Sequence, residues 1–242
     1  MDNSNITLTT LAKKIVIFSD THLTKSFDQK KCDFILNIIN EADLVIINGD
    51  FWDSWFCTFN EFINSRWACL FPKLLEKNTI YIHGNHDPAN SCDDNVKLFS
   101  TSSCESCNIT TPTTTFRVEH GHKLLVGKKP FLLEVHRNFV DGTKLTSIKK
   151  IIYKFLHGLE VMGRFLFGYK FLHENIIGKN INKRMKNSFL NIFLICGDSH
   201  FPELDIDNNY GNTGAIIYGF ASYIVIENGS PKLQKTIYGK KI

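Results

Sequence analysis

Five short apolar runs punctuate the chain, and each stops at a polar cluster. Ile15-Val16-Ile17-Phe18 runs into Ser19-Asp20-Thr21-His22, and Leu44-Val45-Ile46-Ile47 into Asn48-Gly49-Asp50-Phe51-Trp52-Asp53. Ile80-Tyr81-Ile82 leads to His83-Gly84-Asn85-His86-Asp87-Pro88, and Phe116-Arg117-Val118-Glu119 to His120-Gly121-His122. Ile192-Phe193-Leu194-Ile195-Cys196 precedes Gly197-Asp198-Ser199-His200. Short β-branched and aromatic runs closed by turn residues predict buried strands. Between the first two, residues 28–40 carry Cys32, Ile35, Leu36 and Ile39 at helical spacing. Residues 58–76 predict a second helical stretch, broken before Pro72. This alternation predicts a parallel sheet with crossover helices, and doubly wound α/β is the first fold the pattern suggests. Residues 100–115 are rich in Ser and Thr and read as loop or edge strand. Beyond 192 the pattern is short strands and turns, with Asn228-Gly229 as a hairpin signal.

The carboxyl edge of an α/β sheet is where ligands bind, so the strand ends matter. Aspartate, asparagine and histidine together offer hard oxygens and imidazole, which suits Mn²⁺, Fe or Zn²⁺ better than Ca²⁺. Asp50 follows Gly49, so its carboxylate is a candidate bridge between two ions. His86 has no obvious ligand duty and suits proton donation to a leaving oxygen, while Asp87 beside it is a candidate partner for that imidazole. No Ser nucleophile elbow or P-loop occurs, so hydrolysis by a metal-activated hydroxide is preferred to a covalent route.

Composition changes this picture little, whereas charge changes it more. At 242 residues the chain is long enough for one large α/β domain, taken as 1–242. The 20 phenylalanines suggest an aromatic core or pocket. No apolar run approaches a membrane span, and residues 1–10 lack the basic start and apolar middle of a secretory signal. With seven cysteines, reduced thiols and a cytoplasmic location are expected. Cys104-x-x-Cys107, with Cys92 upstream, is either a zinc clip or a loop with incidental thiols, since no second pair follows. Residues 128–187 hold 13 Lys and Arg against four acids, so this stretch is about +9 in a chain of net +4. Within it Ile148, Ile151, Ile152, Phe155, Leu156 and Leu159 fall on one helical face with lysines between. A basic amphipathic helix is expected there, either meeting an anionic surface or packing on the core with a solvated basic face.

Taken in order, Asp20-x-His22, Gly49-Asp50-x-x-Asp53, Gly84-Asn85-His86-Asp87, His120-Gly121-His122 and Gly197-x-Ser199-His200 resemble the calcineurin-like metallophosphoesterase superfamily, from residue 14 to 226. The resemblance implies a four-layer α/β/β/α sandwich, here with residues 128–187 as a basic helical insertion. It gives metal one to Asp20, His22, Asp50 and His200, and metal two to Asp50, Asn85, His120 and the residue at 198. It makes His86 the catalytic histidine and Asp87 its orienting acid. Asp53 would stand behind the ligands, His122 behind them or against the substrate, and Asn212-Thr213-Gly214 matches a late Asn-x-Gly turn. The implied activity is dinuclear-metal-dependent hydrolysis of a phosphodiester or pyrophosphate by a metal-bridging hydroxide.

Position 198 departs from the family, which has histidine there. Either Asp198 ligates metal two and favours Mn²⁺ or Mg²⁺ over Zn²⁺, or the second site is weakened and the chain is a poor enzyme or a binding module. Two divalent ions are expected, Mn²⁺ first, with Fe, Zn²⁺ or Mg²⁺ as alternatives. Gly49 to Trp55, the His-Gly-His motif and the basic insertion are most similar to the UDP-2,3-diacylglucosamine hydrolase group. A phosphorylated small molecule or a lipid-linked substrate is therefore expected, with peripheral contact to anionic membrane. A nucleic-acid phosphodiesterase is the less favoured alternative.

Overall fold

The computed structural model describes residues 5–125, 177–186 and 192–238. Most of the basic segment, including the amphipathic pattern of residues 148–172, lies outside these residues. Among the described residues, no helix is long and apolar enough to cross a membrane.

The strand pattern folds into two sheets. The seven-stranded sheet is built on β2 (Lys14–Phe18), β3 (Leu44–Asn48), β4 (Ile80–Ile82) and β5 (Ser102–Cys104), all parallel. Its other flank is antiparallel: β12 (Phe220–Glu227) pairs β2, β13 (Ser230–Ile237) and β11 (Ile216–Ile217). The six-stranded sheet has the order β1 (Asn5–Thr9), β6 (Ser106–Thr110), β7 (Thr115–Glu119), β8 (Phe193–Cys196), β10 (Tyr210–Asn212) and β9 (Glu203–Asp205).

Period-two burial explains the layers. On β2, Ile15 and Ile17 enter the core between the sheets, where they meet Ile109, Phe116 and Ile195 of the other sheet. Val16 and Phe18 point the opposite way and pack with α1 (Gln29–Asn40), α2 (Phe59–Ile63) and α3 (Phe71–Glu76). On the far side, α4 (Ile177–Lys186) covers the six-stranded sheet with Met185 against Leu194 and Tyr210. Helix, sheet, sheet and helix make the four-layer sandwich. The doubly wound alternative fails because β6 to β8 build a second sheet instead of extending the first.

Three local expectations need correction. The Ser/Thr-rich stretch at 100–115 contains β5, β6 and the start of β7, and the polar N-terminus supplies β1. The helical stretch 58–76 breaks at Asn64-Ser65, where Ser65 caps a 3₁₀ turn, and Pro72 sits harmlessly in the first turn of α3. Cys104 and Cys107 are buried on strands in the core between the sheets, not in a loop, and among the described residues no third donor joins them, so the incidental-thiol reading holds over the zinc clip. The Asn228-Gly229 hairpin forms as the pattern predicts, with both residues at positive φ, 50° and 79°.

Candidate metal centre

The carboxyl ends of β2, β3 and β4 from one sheet meet those of β7 and β8 from the other. Asp20, His22, Asp50, Asp198 and His200 all have positive φ, between 45° and 62°. Non-glycine residues rarely adopt this conformation, and its clustering marks a functional site. The backbone ties these loops together, with Thr21 and His22 N–H both donating to the Asp50 carbonyl at 2.9 Å.

Asp50 and Asp20 each use one oxygen on the protein and turn the other to imidazole. Asp50 Oδ1 accepts the His86 backbone N–H at 2.9 Å. Asp50 Oδ2 lies 3.3 Å from His120 Nε2 and 3.7 Å from His22 Nε2. Asp20 Oδ2 accepts from the Ser19 hydroxyl and from Asp198 N–H, while Oδ1 faces His200 Nε2 at 3.1 Å. Around His120 Nε2 stand Asn85 Oδ1 at 3.1 Å, Asp50 Oδ2 at 3.3 Å and Asp198 Oδ1 at 3.7 Å. His22 and His200 bring their Nε2 atoms within 3.2 Å. Thus all seven residues expected as ligands converge around Asp50.

Tautomers and close contacts fit a cation. His120 Nδ1 is 2.8 Å from the Asn48 carbonyl, which only accepts, so Nδ1 carries a proton and Nε2 is the nitrogen turned to the centre. Asp20 Oδ1 is buried with the His200 imidazole as its neighbour. Three tight groupings of donor atoms occur: Asp20–His22–His200, His22–Asp50–His86 and Asp20–Asp50–His120. A Cβ at Gly84 would sit 2.2 Å from Asp50 Oδ1, and one at Gly49 (φ 81°) 2.4 Å from His120 Nδ1, so both positions need glycine.

The buried carboxylates and imidazoles shift one another strongly. Burial raises the Asp50 carboxyl, but the His120 and His86 imidazoles outweigh it and hold it well below the usual carboxylate range. Burial lowers His120, and Asp50 and Asp20 more than reverse this. Asp198 is pushed up to about 6 by burial, partly relieved by His120, with Asp50 and Asp20 adding to the rise.

His86 sits beside the ligands. Its Nδ1 lies 3.2 Å from Asp53 Oδ2, and its ring is 3.8 Å from the ring of Trp55. Burial opposes its charge, but Asp53 and Asp50 raise it to about 9. The expected partnership with Asp87 is corrected here. Asp87 Oδ1 accepts from Asp50 N–H at 2.9 Å and Gly84 N–H at 2.7 Å, and Oδ2 from Phe51 N–H at 2.7 Å. It pins the loops, and the carboxylate facing His86 is Asp53, which also stands 3.4 Å from His22 Nδ1. His122 packs beside the His120 ring at 5.5 Å, and burial pushes it down to about 3, so it stays neutral. Asn212 Nδ2 donates to the Gly197 carbonyl at 2.7 Å and holds the loop that carries Asp198 and His200.

Sequence patterns alone do not reveal two contributors. Asn182 of α4, fully buried, accepts from Ser199, Tyr210 and Asn212 and braces the same loop. Lys31 turns inward from α1 and donates to the Thr21 carbonyl. Neither stands in a strand-end cluster; the only hint is a polar residue recurring on a helix's apolar face.

A model of the calcineurin-like phosphoesterase family matches residues 13–180. The chain belongs to this family. The family is metal-dependent, and the donor set above fits that requirement. The match ends before Asp198 and His200, so for these two the geometry speaks alone. Among solved structures, this calcineurin-like phosphoesterase is similar to the phosphoesterase YfcE from E. coli, at 15% identity over 89% of this chain and 88% of that one, TM-score 0.44. It is similar to Vps29 from Entamoeba histolytica, solved with Zn²⁺, at 11% identity over 93% and 98%, TM-score 0.41. A Thermotoga maritima protein is 19% identical over 93% and 99%, TM-score 0.42. These neighbours are too distant to bear on activity. No curated protein matches the chain.

Proposed function

We propose that the chain is a dinuclear metal-dependent phosphoesterase that cleaves a phosphodiester or pyrophosphate bond. The observation that carries this reading is Asp50, with one oxygen held by the His86 backbone and the other facing both His22 and His120. Asp20, His22, Asp50 and His200 would hold one ion, and Asp50, Asn85, His120 and Asp198 the other. A bound pair of this kind clamps a phosphoryl group and supplies an activated water. Oxygen-rich ligation at the second site favours Mn²⁺.

The chain's own residues would do the rest. His86, charged at neutral pH, would stabilise the phosphoryl oxygens and hand a proton from Nε2 to the leaving oxygen, since Nδ1 is held by Asp53. Trp55 fixes the ring plane. Asp87 keeps the Asp50 loop in place.

For the substrate we infer a nucleotide-linked or lipid-linked pyrophosphate, as in the UDP-2,3-diacylglucosamine hydrolase group. The aromatic motif supports this, because Trp55 stands against His86, and so does the charge of residues 128–187. That charge also supports contact with anionic membrane. A second reading, a weakened second site in a binding module, draws on the 3.7 Å between Asp198 and His120, the longest separation around that nitrogen. A hydrolysis panel decides between them. It takes a UDP-linked lipid, bis(4-nitrophenyl) phosphate and single-stranded DNA, each with Mn²⁺, Zn²⁺ or chelator. Metal-dependent turnover of the first two supports the enzyme, and no turnover of any supports the binding module.

A further inference from the structure

Beside the centre lies a cavity of about 500 Å³, bounded by the loop after β2, the start of α1 and the β11–β12 turn. His22, Asp53 and His200 form its wall towards the centre, and Phe56, Trp67 and Tyr238 supply aromatic surface. This size is typical of a ligand pocket. Lys31 lines it and is only 8% exposed. Its Nζ donates to the carbonyl of Thr21, the residue between Asp20 and His22.

An ammonium has three donors, and a buried one is costly unless it is paired. Among the described residues, no carboxylate lies within ion-pair distance of Lys31 Nζ. Asp28 acts on it from further away, but Asp28 Oδ1 caps α1 by accepting the Lys31 backbone N–H at 3.2 Å. Burial pulls Lys31 down to about 7, with Asp28 opposing. Lys25, the other cation on the wall, is exposed and stands 3.9 Å from Glu61. A buried amine, bonded to the carbonyl between two candidate ligands and set in a cavity with an aromatic wall, has no anion beside it.

We propose that this cavity receives the non-scissile phosphate of a pyrophosphate-linked substrate, with Lys31 Nζ as its charged contact and the aromatic wall against the group beyond. The inference rests on the phosphoesterase reading and narrows it. On this proposal the phosphate directly bonded to the one at the metal centre meets Lys31, whereas a simple diester carries no second charge to meet it. Lys31 is a specificity residue here and takes no part in bond breaking.

The test uses the full chain loaded with Mn²⁺, with Lys31→Gln, which keeps a donor for Thr21 and removes the charge. Titration calorimetry compares methylenediphosphonate with methylphosphonate. The preference for the diphosphonate should fall about tenfold or more, the worth of a charged hydrogen bond. In kinetics, the kcat/KM ratio of a dinucleoside pyrophosphate over bis(4-nitrophenyl) phosphate should fall by a similar factor, through KM. Should Lys31→Gln fail to fold, Lys31→Met is read by the same two ratios. Unchanged ratios, or equal losses for both ligands, overturn the subsite. Absence of turnover on every substrate would contradict the phosphoesterase reading alone, because the calorimetric ratio still judges the cavity.

Discussion

His86 owes its charge to two carboxylates, Asp53 against Nδ1 and Asp50 nearby, which overcome the cost of burial and raise it to about 9. As a proton donor it acts only when protonated, so the rate should fall as pH rises through its pKa. Asp53→Asn removes the larger support and should move that basic limb to lower pH by about one unit or more, measured as kcat against pH. An unmoved limb would exclude Asp53 as the partner. His86→Ala should retain bound metal and lose roughly 10²–10⁴ in kcat on a substrate with a poor leaving group. Asp198 has the opposite problem, a carboxyl raised to about 6 by burial, which His120 and His200 only partly relieve while Asp50 and Asp20 add to the rise. The folded, metal-free protein therefore holds a proton there that the unfolded chain, near roughly 3.9, releases earlier. Stability from this group is present at low pH and is lost as pH rises through about 6. Asp198→Asn should thus raise the Tm of metal-free protein at pH 8 by on the order of a few degrees, do little at pH 4, and weaken Mn²⁺ binding. A lower metal-free Tm at both pH values would contradict this. At this scale the sequence reveals which residues converge but not which carboxylate meets His86. Asp87 is adjacent in sequence, yet its oxygens are taken by Asp50, Gly84 and Phe51 N–H.

The ends of β2, β3 and β8 carry the site because each is followed within two residues by left-handed positions that turn side chains inwards. That alternation of apolar run and polar turn is strong in sequence, so β2, β3, β4, β7 and β8 are legible. β1, β5 and β6 are not, since Ser, Thr and Asn supply the exposed face of β1 and the half-buried positions of β5 and β6 and mimic a loop. The bracing of the loop 197–200 is also hidden, because it depends on α4 docking through Asn182. Removing that side chain leaves Ser199, Tyr210 and Asn212 without their shared acceptor. Asn182→Ala should therefore cost about 1–3 kcal/mol in chemical denaturation. It should also loosen metal at both sets, because the loop carries Asp198 as well as His200. A loss below 0.5 kcal/mol would mean the loop does not lean on α4 (roughly the threshold for surface changes).

Across the whole molecule, two sheets bring their carboxyl edges to one place. One supplies Asp20, His22, Asp50 and Asn85, and the other His120, Asp198 and His200. The chain also divides its charge, with about +9 concentrated in residues 128–187. If that segment meets anionic membrane as proposed, sedimentation with phosphatidylglycerol vesicles should fall steeply between low salt and about 0.15 M, where screening acts within about 8 Å. Binding that is independent of salt, or absent, would reduce the segment to a solvated basic face. The central claim is that Asp50 joins donors from both sheets around two ions. Elemental analysis of gel-filtered, Mn²⁺-loaded protein should find about two equivalents in the wild type and fewer than one in Asp50→Ala at equal folded fraction. Two equivalents retained by the variant would contradict it.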